Sequence, residues 1–193
     1  MDIVNVTNKG VENMKLRGIE VVSKYAGEDL LPARSTEKSA GYDLKSAEDY
    51  IIPSMLTSFM DIFMSDCIDV PMDLDEIKAW LKEHKELKPT LVSTGVKAYM
   101  QENEWLGVYS RSGIPLNSLL VVGNSVGVID CDYYNNPSNE GEMFVQFINL
   151  SPFPIRIRKG DRVAQAIFHT FGKVDDDNAT GQRIGGHNST GVK

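Results

Sequence analysis

The sequence is poor in cysteine and histidine, has no long apolar run and carries no basic excess. Each shortage removes a class of protein. Only two cysteines, Cys67 and Cys131, occur in 193 residues, and they form no CxxC pair. That argues against a disulfide scaffold and a thiolate zinc site, and it fits a reducing compartment, so a cytoplasmic location is expected. Nowhere do about 18 apolar residues follow one another, so no membrane-spanning helix is expected. The opening MDIVNVTNKG has no basic stretch followed by an apolar one, and no signal peptide is expected. The formal net charge is −7, the wrong sign for direct binding to a nucleic-acid backbone. A P-loop is missing as well. Gly172-Lys173 is the only Gly-Lys pair, and valine follows it.

What remains suits one domain with a real core, or one domain carrying an insertion: 41% of the residues are hydrophobic and 24% charged. Short strand-like runs recur at Leu16–Lys24, Leu119–Val122, Met143–Asn149, Ile155–Arg158 and Arg162–Phe168. Turn residues separate them, as in Lys159-Gly160-Asp161 and Asn135-Asn136-Pro137-Ser138. Many short strands with such punctuation predict an all-β sandwich or barrel.

Residues 54–88 break the pattern. They hold eight acidic residues against four lysines, and four of the eight methionines. Leu56, Phe59, Met60 and Phe63 follow the spacing of one helical face. Asp73 and Glu76 have the spacing of a capping box, and Ile77, Trp80, Leu81 and His84 repeat the helical stripe. The segment reads as a helical hairpin inserted between a β core of residues 1–53 and 89–173. Residues 174–193 are acidic, then rich in Gly, Ser and Thr, and read as a C-terminal arm that a ligand orders.

Five islands carry chemistry: Ala40–Leu44 (AGYDL), Tyr109–Gly113 (YSRSG), Asn124–Tyr133 (NSVGVIDCDY), Gly160–Gln165 (GDRVAQ) and Arg183–Gly191 (RIGGHNSTG). Arginine beside Gly/Ser turns suits phosphate, because the guanidinium fork pairs with phosphate oxygens and turn N–H groups cradle them. A phosphate hydrolase also needs a carboxylate to deprotonate water and a cation to neutralise charge, and Asp130 and Asp132 are candidates for the first role. His84 and His169 have no metal-spaced partner. Cys131 lacks a matched histidine base and reads as a small buried residue.

In this order the five islands resemble the motifs of the trimeric dUTP pyrophosphatase (dUTPase) family, over nearly the whole chain from about residue 16 except the insertion. The resemblance implies an all-β jelly roll (β-clip) assembled as a homotrimer, with a small α-helical insertion and with each active site drawing on all three subunits. It implies Mg²⁺-dependent hydrolysis of dUTP to dUMP and pyrophosphate, which limits uracil in DNA and supplies dUMP for dTTP synthesis. By the same resemblance Asp130 is the general base, and Tyr133 packs on deoxyribose and excludes a 2′-hydroxyl. Asn124, with the backbone through Gly127 to Ile129, reads the uracil edge. Arg111, Ser112, Gly113 and Gln165 hold the phosphates. Asp43 binds, through water, a Mg²⁺ carried mainly by the triphosphate. Arg183, His187, Ser189 and Thr190 close the arm over the site.

Three departures from the family pattern stand out. His187 replaces a phenylalanine that stacks over uracil, which leaves His187 or Phe144 as the stacking residue. Asn188 replaces the next glycine, with the spacing from Arg183 one residue short. Asn135 replaces a glycine after Tyr133. Some phage dUTPases carry an insertion after the first motif and bind a repressor protein, so residues 54–88 are a candidate surface for such a partner, by way of an acidic, Met-rich helical face. A regulatory binding module and a dCTP deaminase relative are the alternative readings.

Overall fold

The computed structural model describes residues 15–65, 73–181 and 183. Its strands are β1 (Gly18–Val21), β2 (Ala33–Arg34), β3 (Tyr42–Lys45), β4 (Tyr50–Ile52), β5 (Thr90–Ser93), β6 (Val96–Tyr99), β7 (Glu104–Tyr109), β8 (Leu120–Val122), β9 (Gly127–Asp130), β10 (Phe144–Asn149), β11 (Ile155–Ile157) and β12 (Arg162–Thr170). Three helices, α1 (Met55–Ser65), α2 (Leu74–Glu83) and the short α3 (Gly113–Ser118), interrupt them. The fold is all-β and dUTPase-like, as expected, with the two longer helices between β4 and β5. The strand-like runs of the sequence fall on β1, β8, β10, β11 and β12 within a few residues.

Sheet order explains how distant segments meet. The largest sheet runs β2-β3-β12-β7-β9, and a second runs β5-β10-β8, with two-stranded ribbons β1-β6 and β11-β4 beside them. Alternation sets which side is covered. On β10, Val145, Phe147 and Asn149 are buried while Phe144, Gln146 and Ile148 are only partly so. From the five-stranded sheet Leu44, Leu106, Val108, Ala164 and Ala166 face the same core as Val92, Leu120, Val145 and Phe147 of the three-stranded sheet. Val163 and Ala164 are both buried although adjacent, because the β12–β3 register shifts between Arg162 and Ala164. A bulge of this kind breaks the two-residue period locally.

The helical hairpin is fastened at its base. Buried Ser54 accepts from Thr57 N–H at 3.0 Å and donates to the Ser151 carbonyl at 2.6 Å, so it starts α1 and ties it to the β10–β11 turn. Asn149, buried, donates to the carbonyls of Ile52 (3.1 Å) and Phe153 (2.8 Å) beneath it. The expected capping box is present on α2. Asp73 Oδ1 accepts from Asp75 and Glu76 N–H at 2.9 Å each, and Glu76 takes the Asp73 N–H at 3.1 Å.

The first helix of the hairpin turns its apolar stripe outward. The stripe Leu56, Phe59, Met60 and Phe63 does not face the core. All four side chains are exposed, and α1 buries Ile62 instead, from a face that includes Met55 and Ser58. Periodicity locates a helical face, but a neighbour decides which face is covered, and on α1 it is the side of Ile62 that is buried.

Candidate functional site

The islands collect into two clusters on the outer side of the five-stranded sheet. The first gathers the first, second and fourth islands. Asp43 on β3 lies opposite Gln165 on β12, which lies opposite Tyr109 on β7. Asp43 Oδ1 accepts from Arg111 Nε at 2.9 Å, and its Oδ2 accepts from Arg162 Nη1 at 3.2 Å and from Ser35 Oγ at 3.1 Å. Gln165 Nε2 donates to the Ser110 carbonyl at 3.0 Å and so fixes the chain just before Arg111. A Cβ on Gly41 would stand 2.5 Å from Gln165 Oε1, so a larger residue there would displace the glutamine amide. Ser112 precedes α3 in helical conformation and makes no side-chain capping bond, and Gly113 opens the helix. A cavity of about 380 Å³ behind the cluster is lined by Arg111, Arg162, Ile114, Leu120, Ile157 and Val163, among others.

The second cluster belongs to the third island. Asn124 sits in the turn between β8 and β9, exposed, with its carbonyl accepting from Val126 N–H at 2.6 Å and Ser125 at φ 58°. Gly127 lies where a Cβ would come within 3.2 Å of Val108 Cβ, so the strand can approach β7 closely. Ile129 is partly buried opposite Leu106. Asp130 ends β9 opposite Trp105, half-exposed, and Tyr133 is buried in the following turn.

Arg183 joins this cluster and is the one residue of the fifth island among the described residues. Its Nη2 donates to Asp130 Oδ2 at 2.5 Å, its Nε donates to Asp132 Oδ1 at 2.8 Å, and its guanidinium lies 5.5 Å from the Tyr133 ring centre. Burial works against its charge, but the hydrogen bond and charge of Asp132, with the charge of Asp130, outweigh it and hold its pKa above the usual value. Burial, followed by Asp132, pushes the Cys131 thiol up, which agrees with an unreactive cysteine. His187, Ser189 and Thr190 lie outside the described residues. Phe144 is on the other sheet, on the strand whose Gln146 carbonyl holds the Gly123 N–H at 2.9 Å, next to the Asn124 turn.

Several features were not read from the sequence. Arg162 lies within the fourth island, but its role as a second guanidinium on Asp43 is visible only in the structure. His169 stacks on Trp105 with centroids 4.7 Å apart and meets Tyr109 Oη through Nε2 at 2.9 Å, so it packs within an aromatic row. A glycine packs on the Tyr133 backbone from further along the chain. Gly141, at φ 83°, lies so close that a Cβ would meet the Tyr133 carbonyl oxygen at 2.5 Å. Residues 134–140 loop out between them, closed by Asn135 N–H to the Glu140 carbonyl (2.9 Å), and Asn135 tolerates φ 56°.

The sequence profile of the dUTPase family matches residues 81–191. The chain belongs to the dUTPase family. Deoxyuridine 5′-triphosphate nucleotidohydrolase of Lactococcus lactis is 42% identical over 182 residues, covering 93% of this chain and 100% of that one. The crystal structure of the dUTPase from Streptococcus mutans is 38% identical, with TM-score 0.63, covering 82% of this chain and 98% of that one. The dUTPase of Staphylococcus bacteriophage 80alpha shares the fold at 17% identity and TM-score 0.55, covering 86% and 97%. This dUTPase is a hydrolase of nucleotide metabolism that cleaves dUTP to dUMP and pyrophosphate. The Asp43 and Asp130 clusters are where that chemistry is sought.

Proposed function

We propose that the chain completes its dUTPase site only as a homotrimer, one copy's Asp43 cluster meeting another's Asp130 cluster over the nucleotide. The separation of the two clusters within one chain carries this reading. Asp43 is three strands from Asp130 in the sheet, and the register is offset by the four residues from Tyr109 to Trp105. At about 3.4 Å per residue and about 4.8 Å per strand, the offset is on the order of 20 Å. A single nucleotide bridging both clusters of the same chain would have to lie along the whole sheet face, whereas a neighbouring copy brings the missing half to either end.

Within that site Asp130 takes the proton from the water that attacks the α-phosphorus, and the strand end beside Trp105 holds it half-exposed, where water reaches it. Tyr133 forms the wall against the sugar, and Asn124 with the Gly127–Ile129 backbone reads uracil. Arg111, Ser112, Gly113 and Gln165 take the phosphates. Arg183 neutralises Asp130 and Asp132 when the site is empty, and it moves to phosphate with His187, Ser189 and Thr190 as the arm closes. His187 or Phe144 covers the base. Proximity, charge neutralisation and exclusion of water by the arm supply the acceleration.

Magnesium fits this donor set only in an indirect way. Both oxygens of Asp43 already accept from guanidinium or hydroxyl donors. Among the described residues no three His, Cys, Asp or Glu side chains stand close enough to form a metal cage. Asp43 would therefore hold Mg²⁺ through water while the triphosphate supplies the direct oxygens. The bound ion would neutralise phosphate charge.

The division into a β core (1–53 and 89–173), an insertion (54–88) and a closing arm (174–193), at work in the cytoplasm, belongs to the same reading. The phage 80alpha structure is described in terms of phage dUTPases controlling transfer of virulence genes by a G protein-like mechanism. On this chain the hairpin's exposed Leu56, Phe59, Met60 and Phe63 support a repressor-type partner docking there. The decisive experiment measures pyrophosphate release from dUTP, dTTP, dCTP and UTP, with and without Mg²⁺, alongside sedimentation of the purified chain. A monomer with full turnover would overturn the shared site. Ammonia released from dCTP would point to the deaminase relative.

A further inference from the structure

The loop 134–140 has no part in the mechanism above, yet its side chains grip the ring that the mechanism places against the sugar. Tyr133 Oη donates to the Glu142 carbonyl at 3.0 Å and accepts from Asn139 Nδ2 at 2.8 Å. The hydroxyl thus has one acceptor and one donor fixed on it, and the ring cannot rotate away without breaking both.

The Asn139 amide is itself held in one orientation. Its Oδ1 accepts from Asn136 Nδ2 at 2.7 Å and from Gly141 N–H at 3.1 Å, which leaves Nδ2 aimed at the tyrosine. Asn136 is buried and returns to the same residue: Nδ2 donates to the Tyr133 carbonyl at 3.0 Å. Asn136 Oδ1 accepts from Ser138 N–H (3.1 Å), Ser138 Oγ (2.7 Å) and Asn139 N–H (3.3 Å). A buried amide with its polar atoms this well satisfied is a rigid element.

The loop is tied down at its far side as well. Tyr134 Oη donates to Glu20 at 2.7 Å, Glu140 accepts from Ser23 Oγ at 3.0 Å, and Lys97 donates to Asn135 Oδ1 at 2.6 Å. The β1–β6 ribbon therefore braces the loop, and the loop braces Tyr133.

We propose that Asn139, held by Asn136, is a positioning residue for sugar selection: it sets the Tyr133 ring at the height that admits deoxyribose and rejects ribose. This rests on the reading of Tyr133 as the wall against the sugar. A wall discriminates against one added hydroxyl only if it does not yield, and two hydrogen bonds to a braced loop stop it yielding. Asn139 touches no substrate. It acts through the tyrosine hydroxyl.

The test compares kcat/KM for dUTP and UTP in Asn139→Ala, Tyr133→Phe, the double variant and Tyr133→Ala. Loss of one such hydrogen bond should narrow the dUTP/UTP ratio by about 3- to 10-fold. Tyr133→Phe removes both bonds of the hydroxyl, the one from Asn139 included, while leaving the loop whole, so it should narrow the ratio by at least that factor even if Asn139→Ala folds poorly. The double variant should be no worse than the larger single one, since both remove the same bond. Additive effects, or an unchanged ratio in Tyr133→Phe beside a narrowed one in Tyr133→Ala, would overturn the role of Asn139 and leave the sugar wall standing. An unchanged ratio in Tyr133→Ala would overturn the sugar wall itself, and Asn139's role with it.

Discussion

The five-stranded sheet and the helical hairpin are made from comparably apolar sequence and use it in opposite ways. On the sheet, Leu44, Leu106, Ala164 and Ala166 are fully covered. In the hairpin, α1 buries Ile62 alone and α2 buries nothing. The sheet buries its apolar side chains, and its outer side carries the Asp43 and Asp130 clusters proposed as the two halves of the site. The hairpin leaves an apolar groove of about 510 Å³, lined by Met55, Leu56, Phe59, Leu81, Leu87 and Leu150, and its first turn is tied to the β10–β11 turn through Ser54 and Thr57, which donate to the Ser151 and Pro152 carbonyls. The proposed chemistry sits on the element that is packed on a buried core. The element with uncovered surface carries none of the five islands.

The comparison breaks most visibly if a site residue on the sheet proves dispensable. Asp130→Asn keeps the shape and the contact with Arg183 but cannot accept a proton. Turnover should fall about 10²–10⁴-fold while dUTP still binds. Calorimetry with a non-hydrolysable dUTP analogue, run beside pyrophosphate release, checks both halves. Wild-type turnover would move the base to Asp132.

Stability should divide along the same line. Phe147→Ala empties a fully buried position between the sheets and should cost about 3–5 kcal/mol in urea unfolding. Phe63→Ala, at a side chain 56% exposed on α1, should cost no more than about 0.5 kcal/mol. Equal costs would mean that the hairpin is covered in the assembled protein.

Much of this was legible in sequence, for identifiable reasons. The site islands are contiguous runs, so their chemistry survives without coordinates, and the five in order point to the family. The capping box of Asp73 and Glu76 is equally local. What could not be read depends on partners far along the chain or on a side only the fold defines. Arg162 reaches Asp43 from 119 residues away. The α1 stripe was visible as a period, but its exposure was set by where the β domain ends. Gly141 escaped notice because seven looped-out residues separate it from the Tyr133 backbone it packs against.

A smaller effect sharpens the picture inside the hairpin. Asp73→Ala removes both N-terminal acceptor bonds of α2, which should weaken that helix by about 1 kcal/mol. Amide exchange at Asp75 and Glu76 should speed up roughly fivefold, by that same energy, while amides of β7 and β12 keep their protection. Faster exchange in β7 would show that the two regions unfold together.

The smallest expected effect on hydrolysis comes from the largest deletion. Replacing residues 54–88 by a short Gly/Ser link removes both longer helices and none of the five islands. It cuts next to Pro53 and Pro89, and lengthening or shortening a loop has a small entropic cost. Ile52 keeps its pairing with Ile155, and Asn149 keeps the Ile52 and Phe153 carbonyls, so β4 and β11 retain their local frame. Leu150 loses its apolar neighbours from the hairpin, but it is already about half-exposed. Pyrophosphate release should therefore stay within a few-fold of the full chain. A repressor-type partner that docks on the exposed face of α1 should be lost at the same time. Its binding is measured by pull-down with and without a non-hydrolysable dUTP analogue, because a partner that competes with nucleotide must be displaced by it. A deletion that unfolds the enzyme would make the hairpin part of the fold, and retained partner binding would move the docking face to the β domain.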